Sequence, residues 1–234
     1  MDKKRIYRKL SFFWNAFRYQ PIRVFCFHQV SDVFEPETMW ECDWTQTEQF
    51  KQRILALKKE YTFISLPEVT AHLKLDLFRR KKYAALTSDD GWASLKNIVP
   101  WLAEQKIPVT LFLNPSYLDG IRHQERETEK LLTKEEVEQF VKDYHPFITI
   151  ASHGWAHKSC EKTPFEIFVD ETQKAEAYLS KMKGKIPYYA FPYGFSTMDC
   201  VAYLKSQSLV PVMIDDRMNY SDASCIQREL LDGR

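Results

Sequence analysis

The chain has 234 residues, of which 44% are hydrophobic and 28% are charged, a composition typical of one folded domain with a sizeable core. Its 33 basic and 32 acidic residues leave a net charge of +1, so bulk electrostatics argue against a nucleic-acid partner and favour a small or neutral ligand. The 5 cysteines are scattered and include no Cys-x-x-Cys pair, which disfavours a disulfide framework or a cysteine zinc site.

The N-terminal segment is basic and aromatic. Residues 3–19 are predicted to form a helix, and residues 1–20 are treated as a unit apart from a domain that spans 21–234. Its aromatic side chains could contact a membrane surface through residues 1–19, although such a stripe more often packs on its own domain. The segment lacks a small-residue cleavage site, and no apolar run approaches the roughly 20 residues that span a bilayer. We therefore expect a cytoplasmic protein.

From residue 22 onward, short apolar runs alternate with signals for helix starts. The runs are strand candidates, and they occupy residues 22–27, 61–64, 83–87, 109–113, 147–151, 188–191 and 209–214. Helices are predicted to open where Ser or Thr precedes an acidic residue by three positions, at Thr45, Ser65, Thr133, Thr163 and Ser196. The charged stretch 119–136 is predicted to be a solvated loop. Strands alternating with helices predict an α/β fold with a parallel sheet, open or closed into a barrel.

Polar residues follow the carboxyl ends of these strands, where parallel α/β folds place their chemistry. They are His28, Asp89 and Asp90, Asn114, His153 and His157, Pro192 and Tyr193, and Asp215 and Asp216. Each of them alone is an ordinary loop residue. Because the carboxyl ends of parallel strands meet at one rim, the whole set is predicted to converge there.

Asp90, His153 and His157 form a candidate metal site. A carboxylate and two imidazoles with an open position for water are a recurrent catalytic set, and zinc in such a set lowers the pKa of water to near neutrality. The two histidines are four positions apart, so they can lie on one side of a helical turn. For an isolated pair, two surface histidines on a loop are the more common outcome. Asp89, next to the ion, is predicted to stay ionised and to act as a general base.

Three motifs resemble those of one enzyme family. Residues 87–91 (Thr-Ser-Asp-Asp-Gly), 152–157 (Ser-His-Gly-Trp-Ala-His) and 191–194 (Phe-Pro-Tyr-Gly) are similar to the first three motifs of the polysaccharide deacetylases, the NodB-homology domain or carbohydrate esterase family 4. The resemblance implies a distorted (β/α)7-type barrel of parallel strands with outer helices. It implies a hydrolase that uses a divalent ion, most often zinc, to remove an acetyl group from an N-acetylated carbohydrate. The resemblance also implies that the backbone N–H of Tyr193 donates to the oxyanion.

The chain departs from the family pattern at several positions. Ser88 replaces the usual aromatic residue, Gly154 replaces the usual Ser or Thr, and the arginine that commonly precedes the third motif is missing. No histidine follows His157, so the general acid must come from elsewhere. A subgroup resembling the biofilm poly-N-acetylglucosamine deacetylases carries a Phe-His or Tyr-His near the N-terminus, and this makes His28 the candidate acid. A histidine that merely caps a first strand is an equally common alternative.

Trp92 and Trp155 stand beside the catalytic motifs and are candidates, with Pro192 and Tyr193, for contacts to the sugar. Large aromatic residues in such places can also exclude water and fill space. The sequence therefore predicts a deacetylase of N-acetylated carbohydrates. Two alternatives stay open: an O-acetyl esterase that uses the same site, and a catalytically inactive carbohydrate-binding relative, which the departures from the pattern suggest.

Overall fold

The computed structural model describes residues 20–36, 43–75, 80–123, 128–215 and 218–231. The predicted N-terminal helix and Asp216 lie outside the described residues. None of the helices within these ranges is long and apolar enough to cross a membrane.

The described chain alternates between strands and helices, as predicted. In chain order the elements are β1 (Ile22–Phe27), β2 (Gln29–Ser31), β3 (Trp44–Gln46), α1 (Thr47–Glu60), β4 (Thr62–Phe63), α2 (Leu66–Leu75), β5 (Tyr83–Ser88), α3 (Val99–Glu104), β6 (Val109–Leu113), β7 (Asp119–His123), β8 (Thr128–Thr133), α4 (Lys134–Tyr144), β9 (Ile148–Ser152), α5 (Phe165–Leu179), β10 (Lys185–Ala190), α6 (Met198–Ser206), β11 (Val210–Ile214) and β12 (Ile226–Leu230). Parallel pairing runs β1-β5-β6-β9-β10-β11-β12 and returns from β12 to β1. The predicted (β/α)7-type barrel is confirmed.

One strand of the closed ring differs from the prediction. The run 61–64 forms only the two-residue β4, which pairs with the first two residues of β5 and takes no place in the ring. The ring is closed instead by β12, which the sequence analysis missed. The alternation of β12 is interrupted by charge, because Arg228 is buried at its centre. A charged residue inside an apolar pattern conceals a strand from a search for hydrophobic runs.

The stretch 119–136 is not the solvated loop that its charge predicted. It forms the antiparallel hairpin β7–β8 and the start of α4. Leu131 and Leu132 are buried, Leu131 bridges to Trp92, and the N–H of Leu132 donates to the carbonyl of Gly91 at 2.7 Å. The hairpin therefore packs over the Asp-Asp-Gly loop, held there by two leucines that the surrounding charges obscured.

The predicted helix starts hold at some places and shift at others. α4 opens with a full capping box, in which Thr133 and Glu136 each bond the other's backbone N–H. The cap of α1 is the side chain of Gln46 and that of α6 is Thr197, each one position later than predicted. α5 begins after Pro164 without a side-chain cap. These shifts move helix ends by a residue and leave the barrel unchanged.

Alternation along each ring strand separates two apolar layers. Residues such as Val24, Ala85 and Phe112 belong to the cluster inside the barrel. Their neighbours, such as Phe25 and Leu86, pack with Phe50 of α1 and other helical residues outside it. At the carboxyl end of the strands the inward face becomes polar, and this rim carries the candidate site.

Candidate active site

The strand register sets the arrangement of the rim. Phe27 on β1 pairs with Ser88 on β5, so the next residues along the chain, His28 and Asp89, emerge side by side. Leu113 on β6 pairs with Ser152 on β9, so Asn114 emerges beside His153. Parallel strands that end in register thus bring together groups that lie far apart in the chain.

The three candidate metal ligands converge. Asp90 Oδ1 lies 3.3 Å from His157 Nε2 and 3.8 Å from His153 Nε2. One ligand atom from each of the three residues falls within 4.8 Å of the others. A tetrahedral zinc ion with bonds of about 2.0–2.1 Å holds its donor atoms about 3.4 Å apart. The carboxylate and the two imidazoles therefore fit such an ion in both chemistry and spacing.

His153 is held in the form that a metal ligand needs. Its Nδ1 lies 2.9 Å from the carbonyl oxygen of Ala190, which can only accept, so Nδ1 carries the proton and the Nε2 lone pair faces Asp90. Burial lowers the pKa of His153 and outweighs the opposing effect of the carboxylates of Asp89 and Asp90. The neutral imidazole is thus favoured at neutral pH, and its ring is oriented before any ion arrives.

Unusual backbone conformations cluster at the site. Among non-glycine residues of the described chain, five have a positive φ, and three of these are Asp90 (φ 68°), His157 (φ 53°) and Tyr193 (φ 61°). The left-handed region costs such residues roughly 1 kcal/mol or more, and they persist where the surroundings enforce the conformation. Two of the three candidate ligands therefore sit on backbone that is held by its neighbours.

Asp89 is paired with an arginine that the sequence analysis did not identify. Arg228 Nη1 and Nη2 donate to the two carboxylate oxygens of Asp89 at 2.6 and 2.7 Å, and Nη1 also donates to Thr87 Oγ1 at 3.1 Å. Burial raises the pKa of Asp89, but the charges of Arg228 and His153 outweigh it and lower the pKa to about 2. No arginine stands immediately before the third motif, and the arginine that contacts Asp89 lies on β12. The only signal was a charged residue within the alternating run of residues 226–230.

His28, the candidate acid, lies beside Asp89. A nitrogen of its ring, the thiol of Cys26 and a carboxylate oxygen of Asp89 fall within 4.8 Å of one another. The charge of His28 is one of the causes that lower the pKa of Asp89. His28 is half-buried at the rim. A proton donor at this position would stand next to the predicted base.

The predicted substrate-contact residues differ in their access to solvent. Tyr193 is 62% exposed, and its ring lies 4.6 Å from the ring of His157, centroid to centroid. Pro192 is buried, and Trp155 is half-buried, with its ring in a T-shaped contact with Tyr178 at 6.0 Å between centroids. Trp92 is only 3% exposed under the β7–β8 hairpin, so it offers no open face to a sugar and fits the space-filling alternative.

The two small departures from the family pattern do not open the site. Ser88 is buried and, by alternation, lies on the outward face with Leu86. Gly154 has φ +78°, and a Cβ there would lie 3.0 Å from the hydroxyl of Tyr189. A Ser or Thr at this position would be strained and crowded, so Tyr189 occupies the space that such a side chain needs.

Comparison with known proteins identifies similar chains. Residues 78–212 match the sequence model of the family described as polysaccharide deacetylase. Among curated proteins, no sequence matches significantly. The structure of IcaB from Ammonifex degensii is 21% identical, with a TM-score of 0.77, and the match covers 92% of this chain and 93% of that chain.

Two further solved structures share the fold. The Streptococcus pyogenes deacetylase PplD in complex with acetate is 18% identical with a TM-score of 0.76, covering 92% of this chain and 94% of that one. A de-N-acetylase from Aggregatibacter actinomycetemcomitans is 15% identical with a TM-score of 0.74, covering 92% of this chain and 96% of that one. At these identities the structural likeness establishes the fold alone.

Proposed function

The chain belongs to the polysaccharide deacetylase family, and from this premise we propose that it is a metal-dependent enzyme that hydrolyses the acetamide of an N-acetylated sugar. The observation that carries the proposal is the convergence of Asp90, His153 and His157 on one point, beside an ionised Asp89. A carboxylate and two imidazoles that can hold an ion, next to a second carboxylate that can act as a base, are the parts that amide hydrolysis by activated water requires.

The proposed cofactor is a divalent ion held by Asp90, His153 and His157, and the donor set favours zinc. When bound, such an ion polarises the acetyl carbonyl and makes water more acidic. The second of these effects matters here because a carboxylate with a pKa of about 2 is a weak base. A bound ion would therefore supply water acidic enough for Asp89 to accept its proton.

The residues of the chain then have separate tasks. Asp89, held in place by Arg228, accepts the proton of the water that attacks the acetyl carbon. The backbone N–H of Tyr193 donates to the oxygen on which negative charge develops. His28 gives a proton to the nitrogen as the carbon–nitrogen bond breaks. The products are acetate and the free amine of the sugar.

Relatives support this choice of chemistry. PplD was solved in complex with acetate, which is the acid that such a reaction releases. The relative from Aggregatibacter is described as a de-N-acetylase, which favours an amide over an ester. The exposed ring of Tyr193 beside His157 supports a carbohydrate substrate, because an aromatic face at the mouth of a site can pack against a sugar ring.

Acetate release tests the proposal. The purified protein, loaded with zinc or treated with a chelator, would be given N-acetylglucosamine oligomers and, separately, 4-nitrophenyl acetate. We expect zinc-dependent release of acetate from the oligomers, abolished in Asp89→Asn and unchanged in Asp143→Asn, an exposed aspartate on α4. Turnover of the ester alone would refute the amide assignment. Oligomer binding without any acetate release would identify the inactive carbohydrate-binding relative.

A further inference from the structure

The segment 153–158, which carries both candidate histidines, is held along its backbone by the loop that follows β6. The side chain of Asn114 donates to the carbonyls of His153 and Gly154. Ser116 donates to the carbonyl of Trp155 through both its N–H and its hydroxyl, and Tyr117 donates to the carbonyl of Ala156 at 3.2 Å. Four consecutive carbonyls of the segment are therefore bonded from one side.

A single carboxylate holds the same segment from the other side. Glu171, on the middle of α5, is only 8% exposed. Its Oε2 accepts from the backbone N–H of Ala156 at 3.1 Å, and its Oε1 accepts from Nζ of Lys158 at 3.1 Å. These hydrogen bonds fix the residue before His157 and the residue after it. Glu171 itself lies outside the three motifs that carry the family resemblance.

The residue between these two contacts is the one that most needs support. His157 has φ 53°, a conformation that a histidine keeps only when its surroundings impose it. This conformation directs Nε2 to within 3.3 Å of Asp90 Oδ1. Without the two bonds to Glu171, the segment could relax towards an ordinary backbone conformation and carry the imidazole away from Asp90.

We propose that Glu171 is a positioning residue that fixes His157 for metal binding. It does so by accepting hydrogen bonds from the backbone N–H of Ala156 and from the ammonium group of Lys158. The inference rests on the proposed function, because it requires that Asp90, His153 and His157 bind an ion. Glu171 touches neither the ion nor the substrate, and it acts through the backbone of the segment. Groups that orient metal ligands typically change metal affinity by 10–100-fold when they are removed.

Zinc affinity tests the proposal directly. The chelator-treated full chain would be titrated with zinc against a chromophoric chelator, for the wild type and for Glu171→Ala, Glu171→Gln and Lys158→Met. Asp170→Ala is the matched control, because it removes an exposed ion pair with Lys174 from the neighbouring position of the same helix. Thermal unfolding of each zinc-free variant, measured in parallel, reports any loss of stability separately from metal affinity.

The expected order of zinc affinity follows from the contacts. Glu171→Ala leaves the partly buried N–H of Ala156 without its acceptor, and we expect about 10–100-fold weaker zinc binding. Glu171→Gln keeps an oxygen for Ala156 but loses the ion pair, so we expect a loss of about 3–10-fold, a partial rescue. Lys158→Met tests the ion pair alone and should match Glu171→Gln. Asp170→Ala should bind zinc as the wild type does.

Three outcomes separate the possibilities. A folded Glu171→Ala that binds zinc within twofold of the wild type would overturn the inference while leaving the proposed function intact. If Glu171→Ala does not fold, wild-type affinity in Glu171→Gln and Lys158→Met would overturn it equally. A wild type that binds no zinc, or that binds it undiminished in Asp90→Asn, would overturn the metal site itself and the inference with it.

Discussion

Asp89 and Arg228 form an ion pair in the mouth of the barrel, and both side chains are buried. We therefore expect removal of either partner to have a large effect on stability. Replacing Arg228 with Met keeps much of the side-chain volume and leaves the carboxylate of Asp89 without its two charged donors. Breaking a buried pair from one side typically costs about 3–5 kcal/mol. We expect Arg228→Met to lower the free energy of unfolding by about that amount in urea denaturation of the zinc-free protein.

The pH dependence of this loss can be worked out from the pKa of Asp89. Its folded pKa is lowered from 3.8 to about 2, because Arg228 and His153 outweigh the effect of burial. A lowered carboxyl pKa contributes stability that is present above the unfolded pKa and is lost as the pH falls through the folded value. This contribution is about 2 kcal/mol, present from about pH 5 upward and lost between about pH 4 and pH 2. The difference in free energy of unfolding between the wild type and Arg228→Met should therefore become smaller as the pH falls through that window.

The variant should also change catalysis. Without Arg228, burial raises the pKa of Asp89, so the acid limb of the pH profile of kcat/KM should move to higher pH. The double variant Asp89→Asn with Arg228→Met should be more stable than the sum of the two single changes predicts, because the unpaired charge is removed. Arg23→Met is the control, since Arg23 on β1 pairs with Glu229, the neighbour of Arg228 on β12, with side chains that are 27% and 23% exposed. The reasoning fails if Arg228→Met costs no more than Arg23→Met and leaves the acid limb unmoved.

Three further predictions concern other residues of the site. Asp90→Asn should weaken zinc binding at least about 100-fold in chelator competition. The control is His145→Ala, which replaces an exposed histidine at the other end of the barrel and should leave zinc affinity unchanged. Equal zinc affinities of Asp90→Asn and the wild type would exclude the proposed ligand set. His28→Ala should lower kcat by about 10²–10⁴-fold with little change in KM or zinc affinity, and a wild-type kcat would remove His28 as the acid. Gly154→Ala should cost about 1–3 kcal/mol in urea denaturation because of its φ of +78° and its crowded Cβ, and an unchanged denaturation midpoint would contradict that account.

The parallel α/β class and the three candidate ligands could be predicted from the sequence because their signals are local, whereas closure into a (β/α)7-type barrel was implied by the family resemblance. An apolar run followed at once by Asp89 and Asp90 marks the end of a buried strand, and the same holds for the run before His153. Parallel strands then bring their carboxyl ends to one rim whatever the order of pairing. The convergence of Asp90, His153 and His157 followed from those patterns without any knowledge of the strand order.

The remaining features depend on partners that lie far apart in the chain. Arg228 reaches Asp89 across 139 positions, because β12 closes the ring beside β1 and turns its central side chain inward. Glu171 contacts Ala156 from a separate helix. Trp92 is covered by a hairpin whose charged sequence had predicted a solvated loop. In each case the residue type was visible in the sequence but its neighbour was not.

The sequence by itself thus determined six of the seven strands of the closed ring, where those strands end and which ligating groups stand at their ends, since each depends on residues adjacent along the chain. Only the tertiary structure decided how the groups at the rim are charged and held. Burial raises the pKa of Asp89, but the charges of Arg228 and His153 lower it to about 2. Both the burial and the contact with Arg228 arise from closure of the barrel.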